Sequence, residues 1–158
     1  MDSTLLSHIR TLTDDKTEPY TVSSDEIIEM GKTRRTRIYY GACYTDDYLT
    51  WTFPRDYIEV IHLADGYEGT VLTPSETDVL EGRFVFATAQ TGVYFFGYAY
   101  DLNDIVSACW LLKADRVDPG ITYSLGDEQV DTSKYKQHCI DQYYRYRTSK
   151  SGQWRRYR

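Results

Sequence analysis

Several features that define common protein classes are scarce in this sequence. It has three cysteines, Cys43, Cys109 and Cys139, without paired spacing, so neither a disulfide framework nor a zinc site is indicated. No apolar run approaches the roughly 20 residues of a membrane-spanning helix. The first residues also lack the basic and apolar stretches of a secretory signal. These absences predict a soluble, cytoplasmic protein that has no membrane partner.

Two catalytic motifs are also missing. No Gly-x-Ser-x-Gly occurs, which excludes the nucleophile elbow of many hydrolases. The tripeptide that starts at Gly31 lacks the glycine of a phosphate loop, because Glu26 holds that position. His62 falls within a predicted strand, where a histidine on the sheet face is more common than a general base. The sequence therefore predicts no cofactor and favours a binding protein over an enzyme.

Aromatic residues, by contrast, are abundant. The chain has 16 Tyr, 5 Phe and 3 Trp among its 158 residues. Tyrosine suits half-buried strand surfaces, where the ring packs while the hydroxyl stays in water. The composition thus predicts a sheet rich in aromatic side chains.

The order of periodic segments predicts the fold. Helical patterns cover Ser3 to Leu12, a short segment from Ser24 to Gly31, and Lys134 to about Arg147. Strand patterns occupy most of the chain between Arg34 and Val117. We expect an α+β fold in which a mostly antiparallel central sheet of about six to eight strands is covered by the N- and C-terminal helices. Residues 1–147 would form a single domain, and residues 148–158 a basic C-terminal arm.

Local signals place the turns and the centre of that sheet. Turns are expected at Thr45 to Asp47 and at Ala64 to Gly66, and a short helix is expected to begin at Pro74 to Asp78. The predicted central meander consists of three consecutive strands, Arg83 to Ala89, Gly92 to Tyr100 and Ile105 to Lys113.

Charge is distributed unevenly along the chain, whose net charge is −6. Residues 132–158 carry eight Lys and Arg against one Asp, which gives +7, whereas residues 1–131 carry −13. A basic segment on an acidic chain indicates an anionic partner.

The leading hypothesis is a small protein that binds DNA or RNA largely independently of sequence. Cations would neutralise phosphates and release counterions, while aromatic rings would stack on bases. The candidate nucleic-acid-binding residues form one cluster before the sheet and one in the last helix and arm: Lys32, Arg34, Arg35, Arg37, Tyr144, Arg145, Arg147, Lys150, Trp154, Arg155, Arg156, Tyr157 and Arg158. A tail that only solubilises the fold, or that pairs with acidic residues of this chain, is the competing interpretation.

A second hypothesis is a divergent metal-dependent nuclease of the restriction-enzyme type. Such enzymes hold Mg²⁺ or Mn²⁺ with an Asp on one strand and the Glu of a Glu-x-Lys on a following strand. The candidate catalytic residues here are Asp65, Glu81 and Arg83. They depart from that pattern, since Arg83 replaces the lysine, Gly82 interrupts the strand and Asp65 lies in a predicted turn.

A third hypothesis is a structural subunit of a viral or other assembly. Tyr and Arg are enriched at the centres of protein interfaces, so a tyrosine-rich sheet with a basic arm suits a homo-oligomer. Sequence does not separate this hypothesis from nucleic-acid binding, because an arm can serve either role.

Overall fold

The structure is a computed structural model that describes residues 1–16, 21–67, 69–117, 122–125 and 128–148. Within these ranges the chain forms four helices and ten strands. The helices are α1 (Ser3–Leu12), α2 (Ser24–Thr33), α3 (Leu102–Arg116) and α4 (Thr132–Thr148). The strands are β1 (Arg35–Ala42), β2 (Tyr44–Thr45), β3 (Thr50–Thr52), β4 (Ile58–Ala64), β5 (Val71–Leu72), β6 (Glu76–Asp78), β7 (Arg83–Val85), β8 (Tyr94–Tyr100), β9 (Thr122–Leu125) and β10 (Glu128–Asp131). Their pairings are antiparallel, which confirms the predicted α+β class.

The chain divides into two compact units. The strand unit contains Met1–Leu5 and Gly31–Asp101, and the helix unit contains Leu6–Met30 and the described residues from Leu102 onward. The single domain over residues 1–147 stays a prediction. The predicted arm, apart from Thr148, lies outside the described residues.

Two four-stranded sheets build the strand unit. The first sheet has the order β1-β8-β4-β5 and the second sheet the order β2-β3-β7-β6. Phe95 of β8 stacks on Phe53, which follows β3, with ring centroids 4.5 Å apart, and lies 6.3 Å from Phe84 of β7. All three rings are fully buried. The core of this unit therefore lies between the inner faces of the two sheets.

Short polar turns set the hairpins at the predicted places. Asp47 Oδ1 accepts hydrogen bonds from the amides of Leu49 and Thr50 at 2.9 and 2.6 Å, and this turn joins β2 to β3. The turn that begins at Asp65 joins β4 to β5, and Asp65 Oδ1 accepts from the Thr70 amide at 2.7 Å. Both carboxylates replace backbone acceptors, as is usual for Asp in turns.

The prediction of a strand over Ile105 to Lys113 is wrong, because these residues belong to α3. Apolar side chains lie around the whole helix, so their spacing does not show a helical period and resembles that of a buried strand. The end charges fit a helix, with Asp104 in the first turn and Arg116 in the last. The expected three-stranded meander is therefore absent, and the partners of β8 are β1 and β4.

The predicted helix start at Pro74 to Asp78 is also wrong. Residues Glu76–Asp78 form β6, which pairs with β7. The amide and the hydroxyl of Ser75 both donate to the Val85 carbonyl oxygen, at 2.7 and 2.9 Å. Pairing with β7 therefore outweighs the local helix-start signal of Pro followed by acidic residues.

Capping and buried polar contacts fix the helix unit. Ser23 and Glu26 form a reciprocal capping box at the start of α2, with Ser23 N to Glu26 Oε2 at 2.8 Å. Arg116 also binds Glu26, and these contacts lower the pKa of that carboxyl to about 2. The buried Lys113 of α3 donates to the Thr13 carbonyl oxygen at 2.8 Å, just beyond α1. Helix α4 matches the predicted C-terminal helix within two residues at each end.

Candidate nucleic-acid interface

Strand β8 presents different aromatic residues on the two faces of the first sheet. Phe95 and Ala99 are buried on the inner face, whereas Phe96 and Tyr98 are half-buried on the opposite, outer face. This alternation follows from the pleat of a strand. The outer face is therefore the aromatic surface of this sheet that remains open to solvent.

Two β-bulges reshape the outer face at the level of Phe96. The register of β1 against β8 shifts between Ile38 and Gly41, and the register of β4 against β8 shifts between Val60 and His62. In the first bulge Tyr40 has a φ of 52°. Bulges re-aim side chains and often lie beside functional sites. These two bulges lie in the two strands that flank β8.

The bulge in β1 brings two consecutive tyrosines to the same ring. Tyr39 and Tyr40 would point to opposite faces of a regular strand. Here their ring centroids lie 5.4 and 5.9 Å from that of Phe96. The distortion therefore adds an aromatic side chain to the outer face.

His62 and Tyr67 extend this group of rings. His62 stacks on Phe96 with centroids 4.6 Å apart and planes at 23°, and Tyr67 lies 4.6 Å from Tyr40. Tyr39 is 61% exposed and Tyr67 is 75% exposed. We call these five residues, Tyr39, Tyr40, His62, Tyr67 and Phe96, the aromatic cluster. Its rings contact one another on the surface of the protein and are not enclosed by a core.

Two arginines of β1 lie over the rings of the outer face. The guanidinium of Arg35 is 3.8 Å from the centroid of the Tyr98 ring and 3.6 Å from a Glu59 oxygen. The guanidinium of Arg37 is 4.7 Å from the ring of Tyr39 and 5.9 Å from that of Tyr98. We call the aromatic cluster together with Arg35, Arg37 and Tyr98 the platform. It combines positive charge with accessible π-faces.

The charges of the two arginines are balanced differently. Glu59 pairs with Arg35 and with the ammonium group of Met1, and it also accepts a hydrogen bond from the buried Tyr100 hydroxyl. Burial, followed by this hydrogen bond, raises the pKa of Tyr100 above its ordinary value. Within the described part of the chain, Arg37 is exposed and has no ion pair. Arg37 is thus a cation on the platform whose charge is available to an external anion.

The predicted basic cluster before the sheet is divided by the structure. Arg35 and Arg37 lie on β1 and belong to the platform. Lys32 lies in the last turn of α2, and Arg34 lies between α2 and β1, where its side chain donates to Thr33 Oγ1 at 3.0 Å. Two of the four predicted cations therefore contribute to the outer face.

The second predicted group lies partly on α4, in the helix unit. Tyr144, Arg145 and Arg147 are exposed on this helix, and Arg147 contacts the Tyr143 ring and hydroxyl. Among the described residues neither Arg145 nor Arg147 has an ion pair. The remaining candidates, Lys150, Trp154, Arg155, Arg156, Tyr157 and Arg158, lie outside the described residues.

The candidate nuclease residues lie on different sheets. Asp65 is in the β4–β5 turn of the first sheet, whereas Glu81 and Arg83 are at the β6–β7 hairpin of the second. Across the described ranges, no three His, Cys, Asp or Glu side chains are grouped so that they could hold a metal ion. A groove of about 520 Å³ runs past Arg83 and is lined by Asp2, Glu76 and Asp78 among others, without Asp65 or Glu81. The structure thus offers no observation in favour of the metal-dependent hypothesis.

Thiol chemistry also finds no support at the described cysteines. Cys43, Cys109 and Cys139 are free and buried. Burial raises the pKa of Cys43 to about 12, which keeps this thiol protonated at neutral pH. Cys43 belongs to the core, and His62 lies on the outer face.

Most of the platform was not singled out from the sequence. The sequence predicts an aromatic-rich sheet that includes Tyr39, Tyr40, Phe96 and Tyr98, with His62 on its face. The alternation of Arg35, Arg37 and Tyr39 along one strand was the available signal for a cationic aromatic face. The sequence contains no comparable local signal for the bulges that complete the cluster.

Comparison with known family models, curated proteins and solved structures finds no match to this chain. In the described part of the chain, no helix has both the length and the apolar character needed to cross a membrane.

Proposed function

We propose that this protein binds nucleic acid, largely independently of sequence, and that the platform is its principal contact surface. The observation that carries the proposal is the position of Arg37, an exposed cation without an ion pair among the described residues, over accessible aromatic rings. A phosphate at this arginine would place the attached nucleotide beside the rings of the cluster. Charge and stacking would then act on the same ligand.

The composition of the platform supports binding without sequence readout. Every base has a π-face, so stacking tolerates all four bases. Phosphate contacts likewise carry no sequence information. The side chains of the platform are mainly rings and guanidinium groups, which fits this form of recognition.

Exposed cations of α4 would add contacts to phosphates outside the platform. Arg145 and Arg147 are exposed on the helix surface, and Tyr144, which directly precedes Arg145, is exposed as well. We assign them an accessory, electrostatic role, in which they add to the attraction of phosphates and leave base contacts to the platform. The basic residues of the predicted arm would act in the same way.

Fluorescence anisotropy with labelled oligonucleotides tests the proposal. Oligo(dT), oligo(A) and a mixed sequence of equal length should bind with affinities that differ by only a few-fold. Log K should fall linearly with log salt, with a slope of about −0.7 per neutralised phosphate for single strands. Chelator in the buffer keeps binding separate from any metal-dependent cleavage. Absence of binding to every oligonucleotide at about 20 mM salt would overturn the proposal.

A further inference from the structure

Resting on the proposed function, we infer that the ligand of the platform is a single strand whose unpaired bases stack on the aromatic cluster, and that the bulged Tyr40 completes this stacking surface. Charge alone does not decide the form of the nucleic acid. The rings do, because a base can stack on them only when its own face is free.

The geometry of the outer face disfavours a duplex. Bases in a duplex expose only their edges in the grooves, and reading those edges takes a helix or ribbon that enters the groove. The platform is instead part of a four-stranded sheet whose exposed elements are rings, with Tyr39 61% and Tyr67 75% exposed. Sheet faces that carry aromatic side chains stack about two or three unpaired bases.

The backbone of Tyr40 provides the second observation. A φ of 52° is unfavourable for a tyrosine, and glycine adopts it at no steric cost. The tyrosine ring at this position contacts three members of the cluster, His62, Tyr67 and Phe96. Backbone strain of this kind is concentrated at functional sites. We therefore assign the strain to the need for an aromatic ring at the bulge.

Tyr48 gives a matched control for the backbone effect. It also has a positive φ, of 60°, and its side chain is 59% exposed, but it lies in the β2–β3 turn of the second sheet. Its carbonyl oxygen accepts from Trp51 Nε1 and from the Gln90 amide, and both bonds survive replacement by glycine. Tyr48→Gly therefore relieves the same kind of strain without altering the platform.

Binding and stability measured on the same variants test the inference. The wild-type protein should bind a single-stranded 12-mer at least ten-fold more tightly than the blunt duplex of the same sequence. Tyr40→Gly should unfold at an unchanged or higher temperature, yet bind the single strand about ten-fold more weakly, the loss expected for one stacked base. Tyr48→Gly should show the same thermal behaviour with unchanged binding. Tyr39→Ala, at an exposed position, is a second variant that should weaken single-strand binding.

The outcomes separate the inference from the proposed function. Equal affinity for the single strand and the duplex would overturn the inference and leave nucleic-acid binding in place. Unchanged single-strand binding by both Tyr40→Gly and Tyr39→Ala would overturn the assignment of the aromatic cluster. Absence of binding to either form would overturn the proposed function, and the inference with it.

Discussion

The two faces of the first sheet use aromatic residues in opposite ways. On the inner face Phe95 stacks on Phe53, fully buried in an apolar core. On the outer face the neighbouring Phe96 is half-buried among tyrosines, His62 and the guanidinium of Arg37. Core packing accounts for the first set of rings. It does not account for the second set, and this difference is the reason to assign a binding function to the outer face.

Phe95 and Phe96 allow the comparison to be tested with adjacent residues of one type. Phe95→Ala removes a fully buried ring and should lower the free energy of unfolding by about 3–5 kcal/mol. Phe96→Ala removes a half-buried ring and should cost about 1 kcal/mol. Urea denaturation measures both values.

Oligonucleotide binding should show the reverse order. Phe96→Ala should weaken single-strand binding about ten-fold, because a stacked base is worth about 1–3 kcal/mol. The folded fraction of Phe95→Ala should bind like the wild type. Similar losses of stability in the two variants would break the comparison, since the outer rings would then be part of the core.

Tyr100 is the last residue of β8, and its ring is buried, unlike the other rings of the outer face. Its pKa is raised by burial and by Glu59, so the folded state holds its proton above pH 10, where the unfolded chain loses it. The resulting stability is complete below about pH 10 and is lost as the pH rises above that value. Above pH 10 we expect Tyr100 to make the free energy of unfolding fall by up to about 1.4 kcal/mol per pH unit.

Urea denaturation between pH 8 and pH 11 checks this expectation. Tyr100→Phe should make the free energy of unfolding fall less steeply as the pH rises. Tyr135→Phe should remove a separate contribution of the helix unit, since burial raises the pKa of Tyr135 to about 12. The double variant should show a still smaller fall, and the part that remains includes the buried Cys43 thiol, whose pKa is also raised. If Tyr100→Phe leaves the dependence of the free energy of unfolding on pH unchanged, the proton on the Tyr100 hydroxyl does not contribute to stability.

Local signals explain which parts of the fold could be predicted. The capping box of Ser23 and Glu26 and the turn aspartates Asp47 and Asp65 act over a few residues, so the sequence predicts α2 and both turns near their observed positions. The helical period of α3 is hidden in the sequence because an apolar residue, Leu111, lies on its exposed side and a charged one, Lys113, on its buried side. Intrinsic helix propensity does not identify α3 either, because tertiary packing decides the structure of such a segment.

The platform depends on pairing between distant segments. Strand β1 meets β8 across more than 50 residues, and the bulge at Tyr40 exists only within that ladder. The charge of Arg35 and Arg37 therefore marks these residues in the sequence, whereas no local signal places the rings beside them. The clustered charge also points to the C-terminal residues, most of which lie outside the described part of the chain.

The smallest expected effect compares a cation of the platform with one of the second sheet. Arg37 and Arg83 are both exposed strand arginines, but in the described structure only Arg37 lies over aromatic rings. If Arg37 binds a phosphate, Arg37→Ala should reduce the magnitude of the slope of log K against log salt by about 0.7. Arg83→Ala should leave the slope unchanged and serves as the matched control. Equal changes in the two variants would mean that nucleic acid responds to the overall charge and that the outer face has no special role.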